Sequence, residues 1–508
     1  MKRKFEIRDQ KSEGFGARGA LLRRRWDERP FWFRISDFEF RIFPVLLLPL
    51  LALAGCQKAE TPTAPENVTS PTPAPTPASA SVTPNSFNDV TAQLDPGGDL
   101  YLYISAAQWT SKLAHGIDTL QSLASANETP EQSQQVAPYL ALLKDVVQKS
   151  GVQAISGIGA SSINYAPGLY RNKIFVHHYP ADGSGIIWSL YGKEPHPLAG
   201  LDYLPFDTAL AGFADFDLAQ FITFIRDEAA QSGIPQLQQS VTQWQAQLTG
   251  LTGLKLDDAL NSLNGGVGMV LTLDAHDTVT IPTGNQPLTI PAPRLAVLFA
   301  VKDDLIFKTV DKMFAGTPGI VRVDKPDYQM RSVALPVAPG VNVSPTLAQW
   351  NGYLVLATDN RLVQAMIDVQ KGTVPSIKTT PDYAALSAGL PQQGNSFLIS
   401  TGSFADFVRK IQTQLYSSQP GGGTRTALMQ RFQKTGRFMS VGTVLPNGWV
   451  SISQGSQGAS QLLAPAIIAP AIAVATYLPA LNGIHRVPPT SLPSANPPSP
   501  AASPGTSP

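Results

Sequence analysis

The sequence predicts an α+β protein: largely antiparallel sheets with helices on one face, built from recurring strand-turn-helix units and flanked by disordered Pro-rich segments. Three observations carry this. Four stretches share one layout, a short apolar strand, a turn and an amphipathic helix: Asp99–Leu120, Asp207–Ala229, Arg294–Phe314 and Asn395–Leu415. Between them lie further β-rich runs with no regular helical partner. The 44 prolines gather towards the two ends, leaving the middle of the chain to build a core.

In each unit the β-rich residues give way to apolar spacing of three and four. Leu218, Phe221, Ile222 and Ile225 form one such stripe, and Phe404, Phe407, Val408 and Ile411 another. Asp217 and Ser403 are candidate N-caps, since a short oxygen-bearing side chain can accept from the first free amides. The strand candidates are Lys173–Tyr179, Gly185–Gly192, Gly266–Asp274, Gly352–Asp359 and Phe438–Leu445. Pro446–Gly448 reads as the turn of a hairpin. Recurrence at uneven intervals suggests duplicated modules, not a solenoid. We place a first α+β module at 96–275 and a second at 294–460. "AHDTVTIPTGNQPLTIPAP" interrupts the pattern between them.

The formal net charge is only +1, but it is uneven. Residues 1–55 hold 12 Lys/Arg against 7 Asp/Glu, leaving 26 basic and 30 acidic residues in 56–508. No Arg/Lys cluster with interleaved aromatics occurs in the body, so nucleic acid is not an expected partner.

The one cysteine, Cys56, follows the uncharged run "IFPVLLLPLLALAG". That run is short for a bilayer span, which needs about 20 residues, and suits a secretory signal. Leu53-Ala54-Gly55-Cys56 resembles the lipobox of bacterial lipoproteins. The resemblance implies cleavage before Cys56, acylation of its sulfur with palmitate-type chains, and a membrane partner reached through that lipid. Gln57 follows where Asp would retain an enteric lipoprotein in the inner membrane, so the resemblance favours the outer membrane and a periplasm-facing body. Residues 1–55 are then an N-terminal extension and signal peptide, with an unusually long charged stretch before the apolar run. Residues 56–95 form a lipid-anchored Pro/Thr/Ala-rich linker. Its proline-rich part could reach about 90 Å at about 3.1 Å per residue.

At the far end, the apolar Ala/Pro segment 461–482 contains the uncharged Leu462–Leu481, and 483–508 is a Pro-rich tail. Leu462–Leu481 is long enough for a second membrane contact, although Pro465, Pro470 and Pro479 interrupt it.

The runs Asp202–Leu218, Leu263–Asp274, Trp350–Ile367 and Leu390–Ser400 together resemble a family of large uncharacterised bacterial envelope lipoproteins with a domain of unknown function. That resemblance implies location and fold, and transfers no active-site residue.

Candidate chemistry is sparse. His115, His177, His178, His196, His276 and His485 show no metal-ligand spacing, and no cofactor is expected. Adjacent on a strand, His177 and His178 should face opposite sides. "DAHD", Asp274–Asp277, offers oxygens and an imidazole but reads as a solvated turn. "GIGASSINY", Gly157–Tyr165, carries Ser161 and Ser162 on what reads as a tight strand-to-strand turn, without a nucleophile elbow or a phosphate loop. "NGGVG", Asn264–Gly268, reads as a turn entering a strand. Trp109, Trp188, Trp244, Trp350 and Trp449 read as packing residues. No catalytic, cofactor or metal residue is assigned; Cys56 is the one site residue, for lipidation. The expected function is a non-enzymatic binding or structural protein of the cell envelope. The alternatives are a periplasmic hydrolase whose site assembles only in the fold, and a membrane protein anchored twice.

Overall fold

The computed structural model describes residues 85–458, apart from 111, 114, 120–121, 123–129, 282–286, 339–340 and 418–435. The lipobox, residues 56–84, Leu462–Leu481 and the tail lie outside the described residues. The α+β, mainly antiparallel architecture is present.

In chain order, α1 (Phe87–Thr91) precedes β1 (Leu100–Ser105), α2 (Ala107–Thr110) and α3 (Pro130–Ser150). The hairpin β2 (Ile155–Ala166) and β3 (Leu169–His178) follows, then α4 (Ile186–Ser189), β4 (His196–Pro197) and β5 (Thr208–Asp215). Three helices, α5 (Leu218–Gln231), α6 (Pro235–Thr252) and α7 (Leu256–Ser262), lead into the long hairpin β6 (Leu263–Ile281) and β7 (Leu288–Val301). Next come α8 (Leu305–Met313), β8 (Ile320–Asp324), β9 (Tyr328–Val333), β10 (Leu335–Ala338) and β11 (Val341–Val343). The hairpin β12 (Thr346–Trp350) and β13 (Tyr353–Ala357) precedes α9 (Asn360–Gln370) and α10 (Pro381–Ser387). The last described elements are β14 (Gln393–Gly394), β15 (Ser396–Ser400), α11 (Gly402–Ser417), and the hairpin β16 (Phe438–Leu445) and β17 (Gly448–Gly455).

Thirteen strands form one sheet in the order β1-β2-β3-β17-β16-β15-β5-β6-β7-β13-β12-β9-β8. The order exposes a duplication. Each repeat has three adjacent antiparallel strands, the last two joined as a hairpin, then helices, a single strand, more helices and a second hairpin. In the first repeat the three strands are β1-β2-β3, with α2 and α3 between β1 and β2, and the later strands are β5, β6 and β7; in the second they are β9-β12-β13, with β10 and β11 between β9 and β12, then β15, β16 and β17, while β8 lies beyond β9 at the edge. Both β2–β3 and β12–β13 hairpins place a glycine second in a two-residue turn, Gly168 at φ 72° and Gly352 at φ 76°, but the turns differ: Asn351 before Gly352 also stands at positive φ, 51°, whereas Pro167 precedes Gly168. The repeats are interleaved. β15-β16-β17 is inserted between the two halves of the first repeat, and β5-β6-β7 between the two halves of the second.

The modules expected at 96–275 and 294–460 are therefore not separate bodies. The expected break falls inside the β6–β7 hairpin, whose strands pair from Leu263↔Val301 to Ile281↔Leu288. A hairpin tip and a linker share Pro/Gly/Asn/Thr chemistry, which is why the tip reads as a boundary. The linker also ends earlier than 95, because α1 buries Val90 and sets Leu94 against the sheet. Gly185–Gly192, expected as a strand, holds the short helix α4 between Gly185 at φ 114° and Gly192 at φ 83°.

Paired residues of an antiparallel sheet share a face. The row Phe397↔Phe213↔Gly268↔Leu298↔Val355↔Ala348↔Met330 faces the main core. There α9 contributes Leu362, Val363, Met366 and Ile367, α10 contributes Leu386, and the turn Ala199–Tyr203 contributes Leu201 and Tyr203. α1 covers the same face over β2 and β3, through Val90, Leu94 and Phe175.

Two outcomes test this fold. Met366→Ala, at a fully buried position, should lower unfolding free energy by about 2–5 kcal/mol in urea melts. A chain ending after Asp304 should show no cooperative unfolding transition, because β3 and β7 then lack β17 and β13.

Candidate functional site

The opposite face of the sheet is built differently. Leu398 pairs with Gly212, then Met269, Val297 and Leu356 in one direction, and with Ser440, Ser453 and Asn172 in the other. The next row on this face is Ile174, Ser451, Gly442, Ser396, Ala214, Val267, Phe299 and Leu354. Neither row contains a charge. Each crosses eight strands, about 34 Å at about 4.8 Å per strand. Ile174, Met269, Leu356 and Leu398 stay 36–41% exposed.

The margins of this face are covered. At one, α8 sets Phe307, Ile306 and Val310 on Leu347 and Leu354. At the other, Trp449 pairs with Val176, two residues from Ile174, and meets Trp188 of α4 at 4.6 Å between ring centres. Trp188 rests on His178 at 4.2 Å, and its indole N–H donates to the Gly151 carbonyl at 2.9 Å. Tyr191 continues the aromatic series from Trp449 to Phe216, and Phe216 to Phe221. Trp188 and Trp449 are thus neighbours, a grouping that sequence spacing could not show. Trp350 is buried in the main core and Trp244 is exposed on α6.

Ser161 and Ser162 lie within β2, not on a turn. Gly157 and Gly159 are there for packing: a Cβ on Gly159 would stand 2.4 Å from Val90, and one on Gly157 2.3 Å from Ser86 Oγ. These glycines let α1 approach the strand closely. Ser161 Oγ accepts from the Asp95 amide at 3.0 Å.

A serine outside any sequence motif meets a histidine. Ser156 Oγ and His177 Nδ1 share a 2.5 Å hydrogen bond, and His177 Nε2 lies 3.8 Å from Asp89. This joins the three residue types of a hydrolase, but the serine is on Nδ1 and the acid is nearer Nε2, the reverse of the usual triad. Ser156 and His177 are both 2% exposed. The imidazole is flanked edge-on by Phe175 at 5.8 Å and Tyr179 at 5.3 Å. Burial pulls His177 below its ordinary pKa, against the pull of Asp89. A neutral imidazole locked to a buried hydroxyl is a packing arrangement. His178, as expected, faces the other side, where it meets Trp188.

"DAHD" is not a free turn. It forms a bulge of β6, where pairing shifts between Asp274 and Thr278. Arg294, 8% exposed, donates to Asp277 at 2.6 Å and lies 3.5 Å from Asp274 and 3.8 Å from Asp359. Arg361 bridges Asp277 at 3.1 Å and Asp359 at 2.6 Å. Asp359 also caps α9 by accepting from the Arg361 amide. The carboxylates clamp the hairpin to the helix. Asp274 is held below the usual range, chiefly by the His276 amide. Neighbouring Asp207 is raised by burial. "NGGVG" is not a turn before a strand: it lies inside β6, as an irregularity where the register shifts between Leu263 and Val267, with Gly265 at φ 70°. Asp217 caps α5 by accepting from the Gln220 amide at 2.9 Å, whereas Ser403 sits one residue inside α11 and bonds Thr401 Oγ1 at 2.7 Å.

His115 and His276 are exposed, and His485 lies outside the described residues. Among the described residues no group of three His, Cys, Asp or Glu is placed to hold a metal ion, and no helix is long and apolar enough to cross a membrane.

No protein-family model matches the chain, and neither curated proteins nor solved structures give a match.

Ser156→Ala should leave His177 Nδ1 buried without its partner and cost about 1–3 kcal/mol, measured by urea unfolding at neutral pH. His177 also sets an acid limit. Because its folded pKa is depressed, its contribution is present above the ordinary value of about 6.5 and falls as pH drops through the depressed one.

Proposed function

We propose that this is a cell-envelope lipoprotein, held by lipid on Cys56, whose body binds an acyl-chain-like molecule instead of catalysing a reaction. The observation that carries the binding half is the pair of uncharged rows with Ile174, Met269, Leu356 and Leu398 open to solvent. Contiguous exposed apolar surface costs solubility and marks an interaction site on most soluble proteins. The continuous apolar part of these rows runs from Leu398 through Met269 and Val297 to Leu356, five strands or about 19 Å at about 4.8 Å per strand, so its occupant must itself be apolar. Serines and glycines on the β16 and β17 part of these rows keep the floor low, leaving depth for a chain to lie in.

The anchoring half rests on sequence. Leu53-Ala54-Gly55-Cys56 follows an apolar run and precedes a Pro-rich stretch, which suits an acylated cysteine with a spacer before the body. The resemblance to large envelope lipoproteins supports the same location, with the outer membrane favoured by Gln57. The hydrolase alternative has one specific motive, the meeting of Ser156, His177 and Asp89, and the burial of that pair weighs against it. The twice-anchored alternative depends on Leu462–Leu481, outside the described residues.

Intact-mass analysis of the envelope-extracted protein should give a chain starting at Cys56 with added acyl mass. Cys56→Ser should lose that mass and leave the precursor uncleaved; unchanged processing in this variant refutes the anchor. Separately, a fluorescent fatty acid should bind the purified protein, and Leu398→Glu should weaken it at least about tenfold by setting a charge under the chain. Equal binding by both proteins removes the face from consideration. A fluorophosphonate probe should leave the protein unlabelled; labelling that Ser156→Ala abolishes would establish the hydrolase.

A further inference from the structure

His196 offers a device independent of that reading. It lies on β4, which pairs with β14 through His196↔Gly394 and Pro197↔Gln393. The strap Gly192–Pro197 there crosses the end of β5, beside the junction of β5 and β15.

Both ring nitrogens of His196 face pure acceptors. Nδ1 is 2.9 Å from the Pro197 carbonyl oxygen, and Nε2 is 2.9 and 3.0 Å from the two carboxylate oxygens of Asp215. A neutral imidazole has one N–H and can satisfy only one of them; an imidazolium donates to both. The acceptors are themselves fixed. Asn395 Nδ2 donates to Asp215 at 3.0 Å and to the Glu194 carbonyl at 2.9 Å, and Asn395 Oδ1 accepts from the Val444 amide at 2.8 Å. One histidine therefore sits at a knot joining the strap, β5, β15 and β16. Gly192 fits this knot because it stands at φ 83°, and a Cβ there would lie 2.5 Å from Asp215 Oδ2.

The charged surroundings are few. β5 presents Asp215, the strap itself carries Lys193 and Glu194, and β14 and β16 present no charge. Tyr353 is the next titratable group that feels Asp215, and burial with Tyr203 and Asp215 nearby holds its phenol high. His196 is half-exposed, so no lid seals it from changes in the medium.

We propose that His196 is a pH-sensitive clasp: protonated, it ties the strap to the end of β5, and neutral, it releases one acceptor so that the strap loosens from the β5–β15 junction. The bond to Pro197 first, and the bond to Asp215 second, raise its pKa. A raised folded value means the clasp contributes fully below the ordinary value of about 6.5 and is lost as pH rises through the raised one.

The test is hydrogen exchange by mass spectrometry on the full-length protein across the pH range 5–9, corrected for intrinsic rates. Peptides spanning 192–198 should lose about three- to tenfold protection with rising pH, the effect of one partly exposed hydrogen bond. His196→Gln should flatten that profile. A flat profile in the native protein, or an unchanged one in the variant, overturns the clasp. Should His196→Gln fail to fold, Asp215→Asn removes the charge at similar shape and should shift the midpoint to lower pH; an unmoved midpoint also overturns it. Neither readout needs lipid on Cys56 or a ligand on the sheet, so failure here leaves the proposed function standing, and the reverse.

Discussion

One strand pair holds this molecule together. β5 and β15 belong to different repeats and meet antiparallel, with Phe213 stacked on Phe397 at 5.5 Å on the core face and Gly212 opposite Leu398 on the other. Every other strand of the thirteen-stranded sheet is attached outward from this pair: β6, β7, β13, β12, β9 and β8 on one flank, β16, β17, β3, β2 and β1 on the other. Because each repeat is split around the other, neither can complete a sheet by itself. The ladders β3–β17 and β7–β13 form only when distant parts of the chain have come together, the loop-closure cost that makes long-range sheets slow to fold. At the pair itself, Gly212 matters because a Cβ there would stand 3.1 Å from Leu398 Cδ1; its absence lets the leucine lie across the seam.

The two faces of the sheet divide the physical labour. One is sealed by α1, α9, α10 and the turn Ala199–Tyr203, and carries the fully buried side chains. The other is uncharged over the eight strands from β3 to β13, with Arg331 and Arg322 beyond them on β9 and β8, and is covered at its margins by α8 and by the aromatic group around Trp449. Charge has been kept to the edges. The Arg294, Arg361 and aspartate clamp binds the β6–β7 hairpin to the start of α9. Its buried guanidinium faces three carboxylates, whose attraction offsets part of its desolvation cost.

Much of the fold was legible because periodicity is local. The alternation in Lys173–Tyr179 and Phe438–Leu445, and the three-four spacing after Asp217, follow from side chains choosing between core and solvent within a few residues. What was illegible depends on tertiary context. α4 reads as a strand because "GIIWSLYG" is apolar and β-rich, and only Trp188 stacking over Trp449 explains the turn it makes. Gly157 and Gly159 read as turn residues because sequence cannot tell a glycine that bends the chain from one that admits a helix. The open face was hidden for a further reason: Ile174, Met269, Leu356 and Leu398 come from four distant segments, and only strand order places them in neighbouring rows. The pairing of Ser156 with His177 was hidden likewise, since nothing in "AISGIG" marks the serine.

Two histidines show how burial and partners favour opposite protonation in one protein. His177 is enclosed by Phe175, Tyr179 and a hydroxyl that can donate or accept, so the neutral ring satisfies its neighbours and charge would be stranded. His196 is half-exposed and faces a carbonyl and a carboxylate, so there the charged ring satisfies its neighbours and neutrality would leave an acceptor facing a lone pair. The first belongs to the sealed face and favours folding as acid is removed. The second belongs to the strap at the central junction and favours closure as acid is added. The window in which both are content lies between the depressed value of one and the raised value of the other, and it is set by which atoms each ring touches, not by its place in the sequence.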